Sequence, residues 1–306
     1  SHESVKNSES EVVREDIMEH KKKSRKKSVI QALTAVLLMG ALGFLISYGV
    51  RIYTNMQDKN EYRDQGIAAY NEGNYSEAIS NFQTSLSKEV QFAQPVDRDT
   101  RLYLADSYFL TEQYAEAIEQ YDILLETEEE QIEYLNLQKK MSRGFIEMKE
   151  GNYDAALPAF QAAIEAGHTE CALYAGMCAT KLGRTDEQVA YLTTYVDYEP
   201  ESSYACAQLA DYYFQQGRYS TCHQYLEQGL HSSDKSCIEQ LRYIEILYYE
   251  SQHDYDKAYE LICEYRMNYT VTDLVKKEYD FLYTRQRLLK MQAANALATG
   301  ISWTVF

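Results

Sequence analysis

The stretch EYRDQGIAAYNEGNYSEAISNFQTSL, residues 61–86, reads as two helices joined by a tight turn. Tyr75 and Phe82 stand seven residues apart, two turns along one helical face, with Ala78 between them. Gly66 lies nine residues before Tyr75, and Gly73 lies two before it. A glycine at the second place supplies the positive φ that ends a first helix. The small residues Gly66 and Ala78 let the two helix backbones approach, while Tyr75 and Phe82 plug the groove between them.

The same signature returns down the chain. It reads Tyr114, Ala117, Tyr121; Tyr153, Ala156, Phe160; Tyr219, Cys222, Leu226; and Tyr255, Ala258, Ile262, with a degenerate copy at Thr185, Gln188, Leu192. The six starts are separated by 39, 39, 32, 34 and 36 residues. The small residue of the first helix recurs as Ala105, Gly144, Gly176 and Ala210, replaced by Ile246 in the last copy, and the turn glycine recurs as Gly151, Gly183 and Gly217. The two longest spacings predict longer turns or helix extensions around 87–100 and 126–133. Pro158, inside the second helix of the third copy, predicts a late start or a kink there.

Composition agrees with a folded, helical chain. Of 306 residues 45% are hydrophobic and 25% charged, with 3 Pro and 29 Tyr, which excludes disorder as the main state and argues against a β-sandwich.

A period of this kind marks a repeat array. The pattern of small residue, Gly, Tyr, Ala and aromatic resembles the tetratricopeptide repeat, over about residues 57–270. The resemblance implies an all-α fold: a right-handed superhelix, an α-solenoid of helix-turn-helix repeats, here preceded by one transmembrane helix. DLVKKEYDFLYTRQRLLK (273–290) resembles the solvating cap that such arrays need. In that family the ligand-facing positions of the first helix fall three before, one after and four after the small residue. The resemblance therefore implies a partner-binding groove made of Arg63, Ile67 and Tyr70; Leu102, Asp106 and Phe109; Met141, Phe145 and Met148; Leu173, Met177 and Thr180; Ala207, Asp211 and Phe214; and Tyr243, Leu247 and Glu250. This surface is aromatic, Met-rich and sparsely charged, suited to an extended or helical peptide with apolar side chains. The cationic clamp that some members use for a terminal carboxylate is not matched, since Gln138 and Ser142 stand at its places in the third repeat.

Residues 28–50, SVIQALTAVLLMGALGFLISYGV, carry no charge and would extend about 34 Å as a helix at 1.5 Å per residue, enough to span a bilayer core. Lys21, Lys22, Lys23, Arg25, Lys26 and Lys27 crowd the N-terminal side, whereas Arg51 alone follows the other end. The positive-inside rule then predicts a cytoplasmic N-terminus, an uncleaved signal-anchor in the plasma membrane and extracytoplasmic repeats. Residues 1–28 hold 8 of the 30 basic and 6 of the 47 acidic side chains, so residues 51–306 hold 22 and 41, a net charge of −19. Such a field disfavours nucleic acid and favours a protein or peptide partner with a basic, apolar segment. Gly40, Gly43 and Ser47 form a small-residue face through which two copies could pair as a homodimer. No Gly or Pro interrupts Arg51 to Gln65, which predicts one rod running from the span into the first repeat.

The expected organisation is a basic tail (1–27), a transmembrane helix (28–50), about six repeats (51–270), a capping helix (271–292) and an apolar tail (293–306) holding Trp303, which docks on the last helices. The sequence contains no phosphate-cradling Gly loop, no HExxH, no G-x-S-x-G and no CxxC, so it offers no catalytic residue and no cofactor site. Cys222, His223, His231 and Cys237 lack compact metal-ligand spacing, and the six cysteines read as buried small hydrophobes. The expected function is a non-enzymatic, membrane-anchored scaffold for envelope or secreted-protein assembly. An organellar targeting receptor with cytosol-facing repeats, or a non-catalytic subunit of an enzyme complex, are the alternatives.

Overall fold

The structure, a computed structural model, describes residues 2–91, 93–127 and 130–299. Among them every regular element is an α-helix: α1 His2–Asn71, α2 Tyr75–Ser87, α3 Gln94–Leu110, α4 Tyr114–Leu125, α5 Ile132–Lys149, α6 Tyr153–Glu165, α7 Cys171–Lys181, α8 Thr185–Tyr198, α9 Ser203–Gln215, α10 Tyr219–His231, α11 Ile238–Ser251, α12 Tyr255–Asn268 and α13 Asp273–Thr299. The chain forms two compact units, Ser1–Glu126 with α1–α4 and Thr127–Phe306 with α5–α13. Within each unit every helix packs on its neighbour in the chain, and α1 also meets α3 as α9 meets α11. Hairpins in file do this when none can bury its own apolar side alone.

The signature residues make the interior. Ala78, Phe82, Ala117, Tyr121, Ala156, Phe160, Leu192, Cys222, Leu226, Ala258 and Ile262 are all buried. Each of the large apolar ones contributes about 1.5–3 kcal/mol through burial. The glycines of the first helices face the plug more than the small residue of the second helix. A Cβ on Gly66 would sit 2.5 Å from the Phe82 ring, and one on Gly176 2.7 Å from Leu192 Cδ2, whereas Gly144 meets Ala159 Cβ at 2.6 Å.

Each hairpin turns the same way. The residue before the second helix donates its N–H to the carbonyl five residues back: Asn74 to Ala69, Gln113 to Tyr108, Asn152 to Glu147, Arg184 to Ala179, Arg218 to Tyr213 and Asp254 to Tyr249, at 2.8 to 2.9 Å. This is the Schellman closure, and it needs a left-handed residue. Gly151 fills that place at φ +83°, while Glu112 and His253 occupy it at 60° and 62° in the two repeats that have no glycine there.

The two long spacings are helix extensions: α3 and α5 have 17 and 18 residues, against 11, 13 and 14 in α7, α9 and α11. Pro158 does not delay α6, which begins at Tyr153 and carries the proline inside it. The rod expected after the apolar stretch is present, since α1 runs unbroken for 70 residues. Residues 28–50 are exposed along their whole length, and among the described residues α1 is the one helix long and apolar enough to cross a membrane. At its C-terminal end Lys59 is fully buried, donates to the Ser85 carbonyl at 3.1 Å and pairs with Asp97, tying α1 to α2 and α3.

α13 closes the second unit by burying Val275 and Leu282 against α12. It continues through residues 293–299, and Trp303 lies outside the described residues.

Candidate functional site

In the first unit the expected groove residues are half-buried, and Arg63, Tyr70, Asp106 and Phe109 are already engaged. The Arg63 guanidinium takes Asp99, with its Nε 2.8 Å from Oδ2, and Asp64 at 3.1 Å, and the Asp99 hydrogen bond raises its pKa. Tyr70 lies edge-on to Tyr75 and Tyr103 with ring centroids 5.4 and 5.3 Å away, and burial raises its phenol. Burial also pushes the Asp106 carboxyl up, opposed by the Tyr121 hydroxyl, which donates to it at 3.2 Å. Phe109 meets Tyr114 edge-on at 5.5 Å, and Leu102 is half-buried.

The second unit repeats the arrangement. Phe214 packs on Tyr219 at 5.7 Å, as Tyr70 does on Tyr75 and Phe109 on Tyr114. The aromatic four residues after the small position is thus a staple onto the tyrosine that opens the second helix. Phe145 sits between Phe160 at 5.0 Å and Tyr174 at 4.7 Å. Met141, expected in the groove, is only 5% exposed and presents no surface. Ala207 is fully buried as well. Met148, Met177, Asp211 and Tyr243 keep partial exposure, with Asp211 accepting from Gln215 at 2.8 Å.

Tyr243 opens onto a cleft of about 420 Å³. Its walls are the start of α11, Tyr265 of α12, Thr272 of the α12–α13 turn, and Leu274 and Val275 at the start of α13. Leu274 is 61% exposed, and Tyr243 and Tyr265 stand 5.9 Å apart. Among the described residues Glu239 is the one charged lining residue; it accepts the Tyr265 hydroxyl at 3.0 Å, and burial together with that bond pushes the phenol up to about 12. The rim is braced by Asp234, which accepts the backbone N–H groups of Ser236 and Ser203, both at 2.9 Å; the Ser236 bond leads in holding its carboxyl down at about 2. An apolar floor beside one carboxylate can take an apolar side chain with a cation next to it. Sequence patterns could not reveal this cleft, because its walls come from three helices and from a turn outside the signature.

Cys222 is buried in the core with its thiol pushed up to about 12 by burial, His223 stacks on Tyr248 at 4.8 Å, and His231 is exposed. Among the described residues no three His, Cys, Asp or Glu side chains converge on a point where a metal ion could sit.

Residues 63–130 and 146–205 match the tetratricopeptide repeat family. The hairpins within those residues are tetratricopeptide repeats. No curated protein matches the chain. A structure from a functional characterization of Pseudomonas aeruginosa pilF is 14% identical, covers 76% of this chain and 99% of its own, and superposes with a TM-score of 0.51. That likeness is one of fold. A MamA structure from AMB-1 (23% identical, 56% of this chain, 88% of that one, TM-score 0.40) also aligns. So does YrrB, described as a tetratricopeptide repeat protein with an unusual peptide-binding site (16%, 60% and 90%, TM-score 0.40).

Proposed function

We propose that this repeat protein is a membrane-anchored scaffold that holds a segment of a partner protein on the first-helix face of its repeats. The observation that carries the reading is the open cleft at Tyr243, Tyr265 and Leu274 with Glu239 at its edge. It lies on a chain whose residues beyond the apolar stretch have a net charge of −19. The partner segment is apolar with basic neighbours. Steering by the acidic surface brings it in, and the aromatic cleft supplies the buried contact.

Residues 28–50 anchor the scaffold: they are uncharged, exposed throughout and preceded by six basic residues within seven positions. The cation asymmetry supports a cytoplasmic N-terminus and repeats on the outer side of a plasma membrane, where the scaffold would serve envelope or secreted-protein assembly.

Two measurements test this. Photo-crosslinking of the full chain in its membrane, with the crosslinker at Gln240 on the cleft wall, should capture a partner segment rich in Lys or Arg, and Tyr243→Ala should abolish the product. Equal capture by the variant would refute the cleft. Protease added from the cytoplasmic side should leave the repeats intact; digestion would refute the topology in favour of a cytosol-facing receptor.

A further inference from the structure

A second hollow, of about 490 Å³, lies in the first unit beside the end of the apolar stretch. One wall is α1 from Tyr48 to Asn55; the other is the end of α2, the α2–α3 turn with Glu89 and Gln91, and Arg101 of α3. We propose that this hollow binds the phosphate of an anionic phospholipid at the membrane surface, so that the first repeat is seated on the bilayer and does not merely hang from it. The inference rests on the anchor reading of residues 28–50.

The position follows from helix geometry. Val50 is the last residue of the uncharged stretch, so Asn55 stands about 7.5 Å farther along at 1.5 Å per residue. The headgroup layer on each side of the hydrocarbon core is about 5–7 Å thick. The α1 wall therefore lies at headgroup depth, and the Lys59 contacts with Ser85 and Asp97 hold the α2–α3 turn and the start of α3 beside it. Tyr48, 40% exposed, is the kind of residue that settles at this boundary.

The charges suit an anion. Two guanidiniums, Arg51 and Arg101, face the hollow, and among the described residues neither has an ion pair; Arg101 donates to the Gln120 amide oxygen at 2.9 Å. Asp97, also in the wall, is already paired with the buried Lys59. Glu89 is the remaining carboxylate, and it is exposed at the mouth. A guanidinium presents a fork of N–H donors that matches two phosphate oxygens, and two such groups from separate helices define a site that one residue on a lone helix cannot. Ile52, Leu86 and Val90 complete the walls and suit the glycerol and upper acyl carbons beneath a headgroup.

The test is lipid retention. The full chain is placed in nanodiscs of mixed phosphatidylcholine and phosphatidylglycerol, and the lipids that remain bound after release are counted by native mass spectrometry. The expected result is preferential retention of phosphatidylglycerol, falling about fivefold when either Arg51→Gln or Arg101→Gln removes one guanidinium. Circular dichroism of each variant confirms that the helices persist. If Arg51→Gln alone abolishes the preference and Arg101→Gln leaves it unchanged, simple attraction at the helix end explains the binding and the site is refuted. Displacement of the retained lipid by an equal concentration of inorganic phosphate would assign the hollow to a free anion and also refute it. Entry of the chain into discs without any lipid preference overturns the site but not the anchor. Failure to enter discs overturns both.

Discussion

Gly144 offers the sharpest test of how the repeats are packed. Replacing it with Ala should stabilise α5 by about 1 kcal/mol if helix propensity alone mattered. The structure predicts the opposite sign. The new Cβ would lie 2.6 Å from Ala159 Cβ, with the Ala156 carbonyl at 3.5 Å and Phe160 Cζ at 3.6 Å. Carbon atoms settle at about 3.5–4.0 Å, so α5 and α6 must part by about 1 Å, and a gap of that size forfeits up to half of each contact it opens. Neither methyl can rotate away, which puts the overpacking cost near the upper end of its usual range, about 2–3 kcal/mol. The net loss should then be about 1–2 kcal/mol.

Because repeat arrays open piecemeal, the readout should be local: native-state hydrogen exchange of α5 and α6 peptides in the detergent-solubilised full chain, alongside urea unfolding. The compensating change completes a cycle. Ala159→Gly alone should cost about 1 kcal/mol of propensity, yet in the Gly144→Ala background it should restore protection, giving a coupling energy of about 2 kcal/mol. A Gly144→Ala protein that gains stability, with additive behaviour in the double variant, would show that these helices do not approach as described.

Three further outcomes follow from other parts of the structure. At the turns, His253→Gly should stabilise the last hairpin by up to about 1 kcal/mol by relieving a left-handed backbone, and Gly151→Ala should cost about 1–2 kcal/mol; equal thermal midpoints for both variants and the parent would contradict this. In the cap, Glu278 has a buried carboxyl oxygen with no hydrogen-bond partner, and burial, then Glu250, pushes its pKa from 4.5 up to about 7, with Tyr243 facing the pair. The folded state keeps a proton that the unfolded chain releases, so stability should fall as pH rises from about 4.5 through 7 and then level; Glu278→Gln should flatten that slope in pH-dependent unfolding, and an unaltered slope would count against the pairing. Among the thiols, burial lifts Cys171 and Cys222 to about 12 and Cys178 and Cys206 to about 11, whereas Cys237 and Cys263 are half-buried. Iodoacetamide on the folded protein should therefore label the last two first, and early modification of Cys222 would contradict the core assignment.

The hairpins were legible because their causes are local. The spacing from Gly66 through Gly73, Tyr75 and Ala78 to Phe82 sets a groove, a reversal and a plug within one short stretch, and repetition of that stretch dictates a file of hairpins. The uninterrupted run from Arg51 to Gln65 likewise dictated the continuous α1, since nothing in it ends a helix. Surface exposure was not legible in the same way. Periodicity names the face a residue occupies, but what covers that face arrives from another helix. Met141 is buried although it stands at a groove position, and Tyr70, Phe109 and Phe214 spend their rings on the tyrosine that opens the next helix.

The burial of Lys59 depends on Ser85 and Asp97, 26 and 38 residues away, and no local signal could have placed a lysine inside. Both clefts are of the same kind, each assembled from a helix end, a neighbouring helix and a turn that lies outside the repeat signature. Sequence alone determined the hairpins, because backbone geometry and nearest-neighbour packing act over a few turns. Only the tertiary structure decided which side chains remain open to a partner, because desolvation depends on everything packed around a residue and not on its place in the repeat.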